Sequence, residues 1–248
     1  MFDKIPNVIL QAINANTNIS HEYKNVILTI LNEYYKFFSK LGISVQEENL
    51  IQLFSTLSID LSNEEEIHYD LQKNKIVGNL NELKNGNDSL YNICYSVLDI
   101  MCKRYNFETK DYNDGITFKD ESNTLYGTKI NNKLKEYIVE LSTRMTPQRE
   151  YNDDYYFDSP TDNCTLDDRI IYDIQQYINY NNLLTYFING EGILFFNDLC
   201  KKFNSSDECI EYLSTIDKYN RENSIESRKK YDELVRNMIK TEDLKKTV

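Results

Sequence analysis

The chain has 248 residues, enough for one large or two modest domains that bury their own cores without disulfides or metals. Its formal net charge of -12, from 28 Lys and Arg against 40 Asp and Glu, repels nucleic-acid backbones and anionic membrane surfaces and favours basic partners. The excess of 30 Asn and 20 Tyr over 2 Ala, 7 Gly, 3 Pro and no Trp follows AT-rich codons, so it reports a genome before any function; viruses and phages of AT-rich hosts and AT-rich protists are its natural sources.

The N-terminal "MFDKIPNVIL" has too short an apolar run for a secretory signal, and no stretch approaches the roughly 20 apolar residues of a membrane span. Five cysteines, Cys94, Cys102, Cys164, Cys200 and Cys209, form no CxxC pair, and Cys94 and Cys102 read as small core residues. A reducing cytoplasm is the expected setting.

The first hundred residues predict a series of helices. Ser20 caps one running to about Leu41, with Val26, Ile27, Ile30, Leu31, Tyr34, Phe37 and Phe38 inward and Gly42 as its stop. Ser44 with Glu47, and Ser62 with Glu65, have the spacing of capping boxes and predict two further helix starts. From Asp88 to Tyr105 the positions Leu90, Ile93, Cys94, Val97, Leu98, Met101, Cys102 and Tyr105 mark a docked amphipathic helix.

In "FETKDYNDGITFKDES", Asp114-Gly115 between Tyr112 and Ile116, Phe118 signals a hairpin, read as an exposed β-arm near 107–121. A helix over about Ile130 to Met145 turns Leu134, Tyr137, Ile138 and Leu141 inward. Residues 146–164 then form an acidic, tyrosine- and proline-bearing loop, long enough to be a linker or a functional segment. Thr165 with Asp168 boxes the next helix, and helices fill 165–248. The expected fold is therefore mainly α: a helical bundle over 1–145 with one small β-hairpin arm, a boundary at 146–164, and a C-terminal helix-turn-helix-like module over 165–248.

Catalytic raw material is thin. The two histidines, His21 and His68, are far apart and flanked by acids, and the scattered glycines make neither a phosphate loop nor a nucleophile elbow. Asp153, Asp154 and Asp158, with Asp167, Asp168 and Asp173, offer oxygen ligands for a divalent cation, but Asp167 and Asp168 sit in a first turn, where the helix dipole favours acids with nothing bound. "DYNDGITFKDE" imitates a calcium loop yet puts Lys110 where the first carboxylate belongs. No metal and no cofactor are expected.

From Leu183 the sequence has helix-turn-helix spacing: Leu183, Leu184 and Phe187, then Phe196, Leu199 and Phe203, then Ile210, Leu213 and Ile216, with Ser205 and Glu208 boxing the third helix. That helix carries Asp207, Glu208, Glu211 and Asp217 against Lys218 alone, so it offers no phosphate contacts and no duplex nucleic acid is expected. Residues 218–248 hold nine bases and six acids, suiting a terminal helix that docks on an acidic surface through Leu234, Val235, Met238 and Ile239. Glu226 with Lys230 and Asp232 with Arg236 are spaced as i,i+4 pairs on its outer faces.

The leading expectation is a non-enzymatic assembly or adaptor protein, a structural or connector component of a virus or phage particle, with a protein partner or a second copy and no membrane. Its expected partner-binding residues are Tyr151, Tyr155, Tyr156, Phe157, Asp153, Asp154 and Asp158, where aromatic area and acids suit a basic groove. A transcription-associated factor with a protein-binding winged-helix-like module, and a carboxylate-dependent metal enzyme, are the alternatives.

Overall fold

The computed structural model describes residues 4–62, 66–79, 87–106, 111–143, 166–175, 177–218 and 229–235. They are mainly helical, with three small sheets, and fall into two compact units: Met1–Tyr112 with Lys135–Glu150, and Asn113–Leu134 with Tyr151–Val248. Among them no helix is long and apolar enough to cross a membrane.

In the first unit, α1 (Asn7–Ala15) starts behind Pro6, whose carbonyl accepts from Ile9 and Leu10, and buries Ile9, Ala12 and Ile13 against α3 (Glu48–Thr56). Between them runs α2 (His21–Lys40), where Ser20 Oγ accepts from Tyr23 N at 3.4 Å as the sequence predicts. It ends in a Schellman turn: Ile43 N donates to Phe38 O and Gly42 N to Ser39 O, with Gly42 at φ +69° and both apolar partners buried.

The Ser44/Glu47 box does not form. Helix α3 begins at Glu48, and Glu47 makes no side-chain cap, because the backbone before it is committed elsewhere: Ile43 closes the Schellman turn and Gln46 O accepts from buried Arg104. Nor does Ser62 start a helix through 66–70. Its N–H and hydroxyl both bond Asp60 Oδ1, and His68–Asp70 is a strand. Three short strands make a small sheet: β1 (Ser58–Asp60) parallel to β3 (Lys75–Val77), and β2 (His68–Asp70) antiparallel to β3, with Ile76 opposite both Ile59 and Tyr69. Ile59, Ile76 and Val77 are β-branched, which suits so short a pleated patch.

Helix α4 (Asn87–Met101) is central to this unit. It buries Ile93, Cys94, Val97, Leu98, Ile100 and Met101 and packs on α2, α3 and β2. Cys94 and Cys102 are core residues, and Tyr34 donates from a fully buried ring to Cys94 O at 2.6 Å. Leu90, expected inward, is 42% exposed, and Tyr105 lies beyond the helix in β4 (Lys103–Asn106), which pairs with β5 (Asp111–Asp114).

The expected arm is corrected in the same region. Asp114-Gly115 is no hairpin tip but the link from β5 to β6 (Phe118–Lys119), which pairs with β7 (Leu125–Tyr126), and residues 115–118 are buried. Gly115, at φ +56°, leaves space for Asn131 Oδ1, which accepts from Ile116 N at 3.2 Å. A carbon placed on Gly115 would stand 2.0 Å from that oxygen.

The division between the units falls inside α5 (Thr128–Thr143). The second unit takes its first turns, whose orphan N–H groups are satisfied at long range: Asp217 accepts from Gly127 N at 2.8 Å and Lys129 N at 2.9 Å. Leu134 and Ile138 are buried as expected, while Tyr137 and Leu141 are half-exposed and Ile130 and Val139 are buried.

Helix α6 (Leu166–Gln175) buries Ile170, Ile171 and Ile174. Helix α7 (Tyr180–Ile188) buries Leu183, Leu184 and Phe187 and turns at Gly190, φ +65°. Helix α8 (Gly192–Cys200) packs between α7 and α9 (Ser206–Asp217), and residues 229–235 are helical. The predicted third-helix start is present, since Ser205 Oγ accepts from Glu208 N at 3.2 Å, but Glu208 reaches back to Asn204 rather than to Ser205. The inward face is shifted: Phe195, Cys209 and Tyr212 are buried where Phe196 and Ile210 were expected, and these two are half-exposed. Thr165, the expected box residue before α6, lies outside the described residues.

Candidate functional site: an acidic, tyrosine-lined cleft

The seven residues expected to bind a partner, Tyr151, Tyr155, Tyr156, Phe157, Asp153, Asp154 and Asp158, lie outside the described residues, as do Met238 and Ile239. Of the residues near them in sequence, Asp173 is buried and accepts from Tyr231 at 2.7 Å; Tyr231 stacks on Tyr212 with ring centroids 5.6 Å apart. Burial first, and the neighbouring Tyr212 and Asp173 next, hold the Tyr231 phenol well above its ordinary pKa. This carboxylate is committed to the core of its unit.

The acids of α9 are also largely committed. Asp217 caps α5, Glu208 bonds Asn204, and Glu211 pairs with Lys230 at 2.8 Å, a pairing the expected Glu226 and Lys230 match leaves out. Asp207 remains as an exposed first-turn acid. In the imitation calcium loop, Asp120 closes its own turn by accepting from Ser122 Oγ and Thr124 N, and those hydrogen bonds keep its carboxyl below the usual range.

A different set of side chains converges in the first unit. Along α4 the positions Tyr91, Tyr95 and Asp99 recur every four residues, so they form one stripe beside the apolar face that carries Ile93, Val97 and Leu98. That stripe forms one wall of an open cleft of about 330 Å³. Further lining comes from Glu66, two residues before β2, and from His68 and Tyr69 of β2, which packs on α4, with Glu136 of α5. Among the described residues no Lys or Arg is part of this lining.

The local geometry explains how these groups are held. Asp99 sits between Lys103, 3.2 Å away at the start of β4, and Lys135, itself almost fully buried. The same Lys135 ammonium lies 5.9 Å from the centroid of the Tyr95 ring, in range of a cation–π contact. Tyr91 and Tyr95 stand 6.4 Å apart with planes tilted by 35°. Glu66 accepts from Asn92 at 3.1 Å, His68 Nδ1 lies 2.9 Å from Glu66 O, and Tyr69 donates to Asn74 at 2.7 Å.

Carboxylates act on two of the cleft's phenols. Burial, then the charges of Glu136 and Glu140, push the Tyr91 phenol up to about 12; burial and then Asp99 raise that of Tyr69. Tyr91 therefore stays protonated, a neutral ring with a hydroxyl among carboxylates. The nearest nucleophiles are quiet: Ser96 is buried and donates to Asn92 O, and burial lifts the Cys94 thiol to about 12, which denies it thiolate character at neutral pH. Ring faces and carboxylate oxygens are what this cleft presents, beside the Lys103 and Lys135 ammoniums that pair with Asp99.

Sequence reasoning missed this site. Tyr91, Tyr95 and Asp99 were readable as a four-residue stripe of polar-tipped side chains opposite an apolar one, but nothing local couples them to Glu66, 25 residues upstream of Tyr91, or to Glu136. No protein-family profile, curated protein or solved structure matches the chain.

Proposed function

We propose that the chain is a non-enzymatic adaptor that works through protein–protein contacts and takes basic surfaces, on a partner protein or on a second copy of itself. The observation that supports this reading is the cleft between α4 and β2, whose lining among the described residues joins Glu66, Asp99 and Glu136 to Tyr69, Tyr91 and Tyr95. The -12 net charge steers basic partners toward it, and the 151–158 segment repeats the same pairing of tyrosines with acids. The more basic residues 218–248 offer a self-complementary route to an oligomer. Within this reading α7, α8 and α9 form a helix-turn-helix-like module that meets protein rather than duplex DNA, and the setting is a virion or the cytoplasm that assembles it. A transcription-associated factor would use the same module in the same way.

The test is a binding titration of the purified chain against basic and acidic peptides of matched length, at low and moderate salt. Basic peptides are expected to bind and to weaken with salt. Tyr155→Ala combined with Tyr156→Ala is expected to weaken capture about tenfold with little change in melting temperature. Equal indifference to basic and acidic peptides would refute the proposal, and a large loss of stability with binding intact would assign the two rings to the protein's own core.

A further inference from the structure

We infer that Cys200 and Cys209 are a reversible redox pair, which a small disulfide of the glutathione class closes into a bridge and thiols of the same class reopen. The bridge ties α8 to α9 across the corner of the helix-turn-helix-like module. The inference stands apart from the adaptor reading and does not depend on it.

Cys200 is the last residue of α8, and Cys209 is the fourth residue of α9. The corner between them is braced at both ends. Lys202 N donates to Leu199 O and Phe203 N to Cys200 O, each at 3.0 Å, while Ser205 Oγ accepts from Glu208 N and the Glu208 carboxylate accepts from Asn204 N. Phe203 is buried in the corner, its ring centroid 5.3 Å from that of Tyr212 on the inward face that Cys209 shares. Held in this way the two side chains meet, and the Cys209 thiol donates to Cys200 Sγ. Two sulfurs already in hydrogen-bond contact, on helices that pack together, need only a small closing movement to bond. Cys94 and Cys102 are placed differently. They stand eight residues apart along one helical run, a rise of about 12 Å that no disulfide spans, and Cys102 donates to Asp99 O.

Access orders the chemistry. Cys200 is half-exposed, whereas Cys209 is fully buried and meets a small oxidant only through its neighbour. Burial raises the Cys200 thiol, and the hydrogen bond from Cys209 works against that rise. Once deprotonated, Cys200 Sγ attacks one sulfur of the glutathione-type disulfide, whose S–S bond breaks; the first glutathione leaves as a thiolate and takes up the proton that Cys200 gave. Cys209 then loses its proton, and its sulfur attacks Cys200 Sγ. The mixed disulfide breaks, the Cys200–Cys209 bond forms, and the second glutathione leaves with that proton. Two protein thiols are oxidised and one small disulfide is reduced to two thiols. The closed ring runs from residue 200 to residue 209 and removes chain entropy from the unfolded state, so the bridged module is the more stable one.

The test incubates the purified full chain in glutathione buffers from fully reduced to fully oxidised, alkylates the free thiols and maps tryptic peptides without reduction. Lys201 and Lys202 are cleavage sites between the two cysteines, so the bridge is read as two peptides joined through sulfur. The oxidised chain is expected to show that joined pair, a mass lower by two hydrogens, and a melting temperature higher by about 5 °C, all reversed by added thiol. Cys200→Ser is expected to leave Cys209 reduced and to abolish the rise, and Cys209→Ala to stop at a glutathione adduct on Cys200. Cys200→Ser alters a half-exposed helix end, so it decides the matter even where Cys209→Ala disturbs the core. The inference is overturned by a lasting glutathione adduct on Cys200 of the parent chain, by a link from either cysteine to Cys164, by two free thiols in the fully oxidised buffer, or by a bridged chain no more stable than the dithiol.

Discussion

A single buried asparagine joins two helix ends in the first unit. Asn16, 3% exposed, comes directly after α1 and donates both amide hydrogens to the last carbonyls of the α3 segment, Phe54 O and Leu57 O, each at 2.8 Å, while its own oxygen accepts from Asn18 N at 2.7 Å. Those carbonyls are orphans of the α3 C-terminus, away from water, so the amide does for α3 what a glycine C-cap does elsewhere. Asn16→Ala leaves both acceptors without that donor, at about 1 to 3 kcal/mol each, and is expected to cost about 2 to 4 kcal/mol in urea unfolding. Asn16→Asp should cost more, since it sets a carboxylate against two carbonyl oxygens. A loss under about 0.5 kcal/mol for Asn16→Ala would show that water replaces the amide freely. Nothing in the sequence singles this residue out: among 30 asparagines one more reads as composition. Ser20 and Ser205 are legible because a capping serine bonds a backbone N–H only three residues further along the chain, whereas Asn16 acts across 41.

Elements show the same split between local and distant causes. The helices are legible because each needs only its own periodicity, as with Leu183, Leu184 and Phe187 on α7, all fully buried. The strands are not, since β1, β2 and β3 are three residues each and exist only by pairing. The failed box at Ser44 and Glu47 marks the same limit: Arg104, 58 residues from Gln46, claims the backbone there. The start of α8 is a further case. Gly192 packs directly on the strand segment before β6, where an added Cβ would lie 2.1 Å from Thr117 O and 2.9 Å from Ile116 O, backbone atoms that cannot swing aside. Gly192→Ala must push α8 off that segment and loosen the Phe118–Phe196 contact, whose centroids are 4.4 Å apart; overpacking of this kind costs about 1 to 3 kcal/mol. Gly42→Ala meets nothing within 4 Å and pays only for its left-handed backbone, about 1 kcal/mol. Thermal unfolding should therefore rank Gly192→Ala as the more damaging; the reverse order would mean that α8 adjusts freely against its neighbour.

Across the whole molecule, burial of so many tyrosines and thiols sets the response to pH. Tyr34, Tyr212 and Tyr231, with Tyr35 and Tyr69, have phenols pushed up first by burial, and burial does the same to the Cys94 and Cys209 thiols. Above the ordinary thiol and phenol values, about 8.5 and about 10, the unfolded chain has released protons that the native chain keeps. The native state then binds more protons, so stability falls as pH rises through that range. The acid limb has the opposite sign. Asp60, Asp70, Asp120 and Asp198 are held below the usual carboxylate range, chiefly by hydrogen bonds from Ser62, Lys73, Ser122 and Lys201. They contribute stability that is present above the unfolded value of about 3.9 and is lost as pH falls through their lowered values. Asp217 runs against them: burial raises it, so its share is lost as pH rises, which trims the acid limb without reversing it. The melting temperature is expected to hold a plateau between about pH 5 and 8 and to fall on both sides. On the alkaline side part of the rise in phenolate absorbance near 295 nm should come as a step that coincides with loss of helical circular dichroism, because the buried rings ionise only as the chain opens. A smooth titration of all 20 tyrosines near pH 10 with the helices intact would show that these rings reach water in the native state, and would overturn the packing described for both units.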